Sequence, residues 1–219
     1  MAQGRGRCVN QLSEIAVERP ACVAHVDAPS GLSAILQPEH AAVIWPREIP
    51  PTVQTWLDDV DPDLLPGARV VLRPHSVPAL LEEHFQASGL PSGPEQDWLR
   101  EDIASLSAHF ADALDAPYLR LRLDVVTTNA CRRFHVDTIT ARLVCTYRGP
   151  GTQFGISHSD AAPDPVFSVP TGAPMVLRGR LWPTEPPSGL LHRSPPIEGT
   201  GVTRLVLVLD PVAELCEAL

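Results

Sequence analysis

Two histidines, one aspartate and one arginine in the second half of the chain have the types and spacing to build a reactive centre. His135 and Asp137 lie two apart in CRRFHVD, and His192 and Arg204 lie twelve apart in LLHRSPPIEGTGVTRLVLVLD. On an extended segment, residues i and i+2 project to one face. His135 and Asp137 therefore point together, along with Arg133 and Cys131, while Phe134 and Val136 turn into packing. With His192 from a distant strand they would form a 2-His-1-carboxylate face around one metal ion. Such a face leaves coordination positions open, which suits non-haem Fe(II) oxygen chemistry, although the same donors also accept Zn, Mn or Ni. Each metal-bound histidine would need an acceptor for its second ring N–H. An arginine that opens the strand after the second histidine could hold the far carboxylate of 2-oxoglutarate bidentately.

Each of these residues has a plainer reading. His135 and His192 could be histidines satisfied by hydrogen bonds in the core or at the surface. Arg204 opens RLVLVLD, where Arg204, Val206 and Val208 share the face opposite Leu205, Leu207 and Leu209. A guanidinium turned inward needs an anion, either a ligand carboxylate or a structural Asp or Glu. Tyr147, in CTYRGPGT, could add a hydroxyl to the same carboxylate or pack as a core tyrosine, and Arg142 is a second candidate anion holder. A lone HxD is a weak signal. The chain repeats it at His158 and Asp160 in ISHSDAAPDP, where no strand pattern surrounds it, and that copy reads as a solvated loop. Cys131 and Cys145 read as small apolar residues.

The elements that must position these groups follow from hydrophobic periodicity. AAVIW (41–45) and ARVVLRP (68–74) read as strands, and 51–60 and 76–88 as short helices. Trp98, Leu99, Ile103, Leu106, Phe110 and Leu114 mark one stripe of a helix from about 94 to 115, opened by Pro94 and Glu95 and closed by Pro117. At Tyr118 the period falls to 2: YLRLRLDVV alternates, CRRFHVD continues as a strand or its end, and ARLVCTY, VFSVP, PMVLRGRLW and TRLVLVLD follow. Many short strands punctuated by Pro and Gly suggest a sandwich or barrel, and helices before strands indicate an α+β fold. The expected architecture is a double-stranded β-helix core (a cupin-like jelly roll) under an N-terminal helical layer. Its divisions are an extension at 1–39, the helical layer at 40–117 and the metal-binding core at 118–219. Segment 151–172 reads as a Gly-, Ser- and Pro-rich loop that could close as a lid or stay on the surface.

Composition bounds the partners. The 219 residues are 44% hydrophobic with a net charge of −9 and a pI near 5.3. That permits a substantial core and argues against a nucleic-acid-coating role, although Arg132, Arg133, Arg142 and Arg148 cluster locally. No apolar run has the length of a membrane span, and the N-terminus has no signal-peptide h-region. The five cysteines are odd in number, widely spaced and without CxxC. They indicate free thiols and a reducing, cytoplasmic setting.

CRRFHVDTITARLVCTYRGPGTQF followed by LLHRSPPIEGTGVTRLVLVLD resembles a bacterial family known as domain of unknown function 1826, most strongly over about 118–212. More distantly the arrangement looks like the Fe(II)/2-oxoglutarate-dependent dioxygenase superfamily. That likeness implies a double-stranded β-helix, iron at His135, Asp137 and His192, and 2-oxoglutarate anchored by Arg204. The expected function is an Fe(II)- and 2-oxoglutarate-dependent oxygenase acting on a small-molecule or protein substrate, with Tyr147 assisting Arg204. The arginines around Arg133 are candidates to orient an anionic substrate. The alternative is a cupin-like protein holding zinc or another metal on the same three ligands without 2-oxoglutarate.

Overall fold

The computed structural model describes residues 20–159, 161–183 and 188–214. Helices form where apolar residues recur at helical spacing. Helix α1 (Pro51–Asp59) buries Val53 and Leu57. Helix α2 (Val77–Ser88) buries Val77, Leu81 and Phe85 and stops at Gly89, which adopts the left-handed conformation. Helix α3 (Pro94–Leu114) carries the long stripe Leu99, Ile103, Leu106 and Phe110. Pro94 sits at its first turn, where an N–H would be unpaired anyway, and Glu95 and Asp97 meet the positive end of its dipole.

The strands are β1 (Val23–His25), β2 (Ala42–Ile44), β3 (Ala68–Leu72), β4 (Tyr118–Val126), β5 (Ala141–Arg148), β6 (Gln153–Ile156), β7 (Phe167–Ser168), β8 (Met175–Arg178), β9 (Leu190–Arg193) and β10 (Arg204–Val212). Seven of them make one sheet in the order β1-β2-β8-β5-β10-β4-β3, and three make a second in the order β7-β6-β9. Within these sheets β1 and β2 run parallel, and every other pairing is antiparallel. The chain is thus a mixed α+β fold.

Alternation along the strands gives the large sheet two different faces. Leu119, Leu121 and Leu123 of β4, Leu143, Cys145 and Tyr147 of β5, and Leu205, Leu207 and Leu209 of β10 join the α3 stripe in one apolar cluster. On the opposite face, Arg122, Asp124 and Val126 of β4, Arg142 and Val144 of β5, and Arg204, Val206 and Val208 of β10 line a cavity. Strand β10 lies between β5 and β4. Covered on both faces, it reads as a nearly continuous apolar run with one charge at each end of the cavity face, Arg204 and Asp210.

Three segments differ from the sequence expectation. The chain before residue 40 is not a separate extension from Val23 onward. Strand β1 pairs with β2, and Leu32 and Ile35 of the 3-10 turn Pro29–Leu36 are fully buried in the main cluster. Two aliphatic anchors in so short a segment leave no periodicity to read, and residues 1–19 lie outside the described residues. CRRFHVD does not continue β4, which ends at Val126; His135 instead makes an isolated bridge to His192. Segment 151–172 is not one loop, because it contains β6 and β7, whose aromatic rings Phe154 and Phe167 stack at 5.5 Å.

Phe110 on α3 is fully buried among the strand leucines. We expect Phe110→Ala to cost about 3–5 kcal/mol of unfolding free energy. Urea denaturation measures this, and a loss under about 1 kcal/mol would show that the helices do not share a core with the sheet.

Candidate metal centre

The centre begins with two main-chain hydrogen bonds. The amide of His135 donates to the carbonyl of His192, and the amide of His192 donates to the carbonyl of His135, each at 3.0 Å. Residues that exchange both bonds stand directly opposite across an antiparallel pair, with side chains on the same face. The two imidazoles accordingly face each other at 4.5 Å between ring centroids. His192 is held in turn by β9, where it pairs with Phe154 of β6.

Asp137 lies two residues past His135 and completes the group. One donor atom from each of His135, Asp137 and His192 lies within 4.8 Å of the other two. The Nε2 of His135 is 3.5 Å from Asp137 Oδ1, and the Nε2 of His192 is 3.0 Å from Asp137 Oδ2. The segment that carries Asp137 is tied down by the turn after β8. The amide of Arg180 donates to the Asp137 carbonyl at 2.9 Å, that of Gly179 to Thr140 at 2.8 Å and that of Leu181 to Ile139 at 3.1 Å. This close approach needs Gly179: a Cβ there would stand 2.0 Å from the Ile139 carbonyl oxygen and 2.9 Å from that of Asp137.

The electrostatics of the three groups leave room for a cation. The Nδ1 of His135 lies 2.8 Å from the Arg133 carbonyl, which can accept only from a protonated Nδ1. In the neutral ring the Nε2 lone pair then faces Asp137, the tautomer a metal-binding histidine takes when a backbone carbonyl holds its other nitrogen. Asp137 Oδ2 is buried and receives no aligned hydrogen bond. The nitrogens nearest it, Arg142 Nη1 at 2.6 Å and His192 Nε2 at 3.0 Å, attract it without directing an N–H along its lone pairs. Burial alone would raise the Asp137 carboxyl, but the imidazoles of His135 and His192 and the Arg142 charge outweigh it and hold it well below the usual carboxylate range. The hydrogen bond with Asp137 raises His135, against its partial burial. Two imidazole nitrogens and one carboxylate oxygen fit Fe(II), and the same set fits Zn.

Arg204 is 1% exposed and lines the same cavity as His135 and His192. Its Nε donates to the Pro150 carbonyl at 2.7 Å and its Nη2 to Thr146 Oγ1 at 3.2 Å. Among the described residues no carboxylate pairs with it, and burial pushes its guanidinium down to about 10. The turn over it closes on Gly149, at φ 77°, where a Cβ would meet the Arg204 side chain at 2.9 Å. A shift of register between β10 and β5 at Leu205 and Val206 adjoins it, as strand irregularities beside ligand sites commonly do. The cavity of about 120 Å³ is walled in part by Val126, Val144, Val206, Val208 and the buried Thr152, and Arg122, Asp124 and Arg193 also line it.

Two expected anion holders are placed elsewhere. Tyr147 points to the helical side of β5, where its hydroxyl donates to Asp102 Oδ2 at 2.6 Å. Asp102 also takes both terminal nitrogens of Arg47. Strand parity decides this: Tyr147 is in phase with Leu143 and Cys145, and Thr146 is the neighbour that reaches Arg204. Arg142 does line the cavity, but its guanidinium is taken by two carboxylates, Asp137 and Asp210. Arg148 leaves the expected basic cluster, donating to the Val60 carbonyl at 2.6 Å, whereas Arg132 and Arg133 are exposed beside His135. Of the second HxD, His158 is outside the donor group and Asp160 lies outside the described residues. Thr146, Thr152 and Asp210 are the cavity-side polar residues that the sequence reading missed. For Thr146 and Asp210 the one signal was parity with Arg142 on β5 and with Arg204 and Val206 on β10, whereas Thr152 precedes β6 and had none.

The family model described as protein of unknown function (DUF1826) matches residues 26–210. The chain belongs to this family. No curated protein matches the sequence at a significant level. Among solved structures the DUF1826 chain is similar to the dioxygenase for auxin oxidation 1 from Arabidopsis thaliana in its 2-oxoglutarate complex. The two are 8% identical over 89% of this chain and 93% of that one, with a TM-score of 0.51, a likeness of fold. It is also similar to the dioxygenase for auxin oxidation in rice, at 14% identity over 89% and 83% of the two chains and a TM-score of 0.47. A prolyl-4-hydroxylase from Pseudomonas putida follows at 13% identity over 85% and 95%, with a TM-score of 0.43.

Because Gly179 admits the Asp137 segment, we expect Gly179→Ala to displace the carboxylate. Metal affinity, measured by competition with a chromophoric chelator, should fall about tenfold or more while far-UV circular dichroism stays native. Unchanged affinity would show that the 179–181 turn does not hold the carboxylate in place.

Proposed function

We propose that this DUF1826 chain is an Fe(II)- and 2-oxoglutarate-dependent oxygenase. We read β8-β5-β10-β4 and β7-β6-β9, together with the His135 bridge, as the two halves of a double-stranded β-helix. The observation that carries the proposal is a juxtaposition: His135 and His192, grouped with the Asp137 carboxylate, line one small cavity with buried Arg204, which pairs with no carboxylate among the described residues. Neither half is specific alone, since the donors would suit zinc and a buried arginine could be structural. Together they match what a dicarboxylate co-substrate needs, an anion holder at one end and a metal at the other.

In this reading His135, Asp137 and His192 hold the metal, with the Arg133 carbonyl fixing the His135 tautomer. Arg204 binds the far carboxylate of 2-oxoglutarate, and Thr146, already hydrogen-bonded to its Nη2, keeps the guanidinium in plane with the ligand. The valine walls exclude water and lower the local dielectric, which strengthens the charge pair. Bound Fe(II) would supply O₂ chemistry that turns 2-oxoglutarate into succinate and CO₂, one atom of O₂ entering succinate and the other a substrate C–H bond to give the alcohol. The roles proposed for Tyr147 and Arg142 as co-substrate holders are withdrawn, because both are committed to Asp partners. Among the described residues no helix is long and apolar enough to cross a membrane. Among the described residues Cys22, Cys131 and Cys145 are free.

The test is anaerobic titration of the Fe(II)-loaded protein with 2-oxoglutarate, followed by succinate release in air. We expect saturable binding with a visible charge-transfer band, and Arg204→Ala should weaken 2-oxoglutarate by about 2 kcal/mol or more, roughly 30-fold. His135→Ala should abolish the metal-dependent signal. Tight zinc with no response to 2-oxoglutarate would replace this proposal with a zinc-binding function on the same ligands.

A further inference from the structure

The Asp137 carboxylate is the end of a chain of alternating charges that crosses the large sheet. Arg142 Nη1 reaches Asp137 Oδ2 at 2.6 Å. The same guanidinium is clamped from its other edge, with Nε donating to Asp210 Oδ1 at 2.6 Å and Nη2 to Asp210 Oδ2 at 2.9 Å. Arg122 Nη2 follows at 3.8 Å from Asp210 Oδ2. Asp210 is 3% exposed and sits at the far end of β10 from Arg204. The register explains the contact: Leu209 stands opposite Leu143, so the next residues outward, Asp210 and Arg142, are neighbours on the cavity face. The proposed ligands His135 and His192 are fixed by reciprocal backbone bonds, whereas Asp137 lies outside any strand. Its main chain is tied to Arg180, but its carboxylate can still rotate about χ1 and χ2. A two-point bond between Arg142 and Asp210 orders a long side chain that would otherwise carry rotamer entropy, and the ordered guanidinium then takes one carboxylate oxygen.

We infer that Asp210, acting through Arg142, is a positioning residue that sets the orientation of the Asp137 carboxylate for metal binding. The Arg142 charge, 2.6 Å from Oδ2, draws that oxygen toward the guanidinium and so favours metal binding through one carboxylate oxygen. That keeps open the positions a bidentate carboxylate would otherwise occupy. This inference rests on the metal reading above and adds two residues that neither the donor spacing nor the family match assigns.

The effect has a sign that separates positioning from simple charge. Arg142 is a cation beside a cation site, so by Coulomb's law alone its removal would tighten metal binding. Positioning demands the reverse. With Co(II) as the probe, read by chelator competition and by its visible d–d spectrum, we expect Arg142→Gln to bind about tenfold more weakly and with an altered spectrum. Asp210→Asn should follow in the same direction. Arg142→Gln that binds as tightly as the wild type or tighter, with the wild-type spectrum, overturns the inference. Should that variant not fold, Asp210→Glu carries the test, since it keeps every charge and only shifts the clamp: weaker binding and a changed spectrum are expected, and wild-type behaviour overturns the inference. Failure of the wild-type protein itself to bind Co(II) would instead remove the metal reading.

Discussion

The pair of backbone hydrogen bonds between His135 and His192 is the constraint from which the rest of the centre follows. It is a single bridge, not a ladder, yet it sets which way both imidazoles face. Because side chains alternate with a period of two, a slip of one residue would present Phe134 or Val136 instead of His135. The register of β9 against β6 fixes His192, the bridge transfers that register to His135, and Asp137 follows two residues later. Three donors from two distant stretches of chain are thereby brought together by one pairing.

The large sheet keeps its two faces chemically apart. The helical side is apolar except where Asp102 gathers Arg47 and the Tyr147 hydroxyl. The cavity side carries charges on three adjacent strands, and their pairing is uneven. Arg142 is clamped between Asp137 and Asp210, whereas Arg204 has only a carbonyl and a hydroxyl. Burying a guanidinium without a counter-charge is costly, and the fold meets part of that cost with two hydrogen bonds. The remainder is what the proposed co-substrate carboxylate would offset. Along β10, Arg204 and Asp210 stand six residues apart and flank Val206 and Val208 on the cavity face, so that the proposed anion holder and the metal-side clamp are set apart by one buried strand.

A shared fold says little about chemistry. The likeness to the Arabidopsis dioxygenase places this chain among proteins of that architecture, and the DUF1826 family carries no activity in its description. What distinguishes an oxygenase from a zinc-binding relative on the same scaffold is local. In the proposed reading it is an anion holder beside the three donors, and the number of oxygens the carboxylate is free to donate. Those two places hold Arg204, without a carboxylate partner among the described residues, and Arg142, bonded to Asp210.

The donor residues and most elements were legible along the chain, because helical stripes such as that of α3 and strict alternation such as that of β4 are local consequences of burial on one face. His135, Asp137, His192 and Arg204 could be singled out by type and spacing. The pairing of short, weakly patterned segments was not legible: β1, β6 and the bridge at His135 owe their places to partners far away in sequence. Nor could spacing tell which side of β5 faces the cavity or which cations are already paired, so Tyr147 and Arg142 both read as candidate anion holders. By itself the sequence determined which groups are available and which segments would be helical or extended, since those depend on nearest neighbours and periodicity. Only the tertiary structure decided which of those groups meet and which are already neutralised, because strand register and ion pairing are set by contacts between residues tens of positions apart.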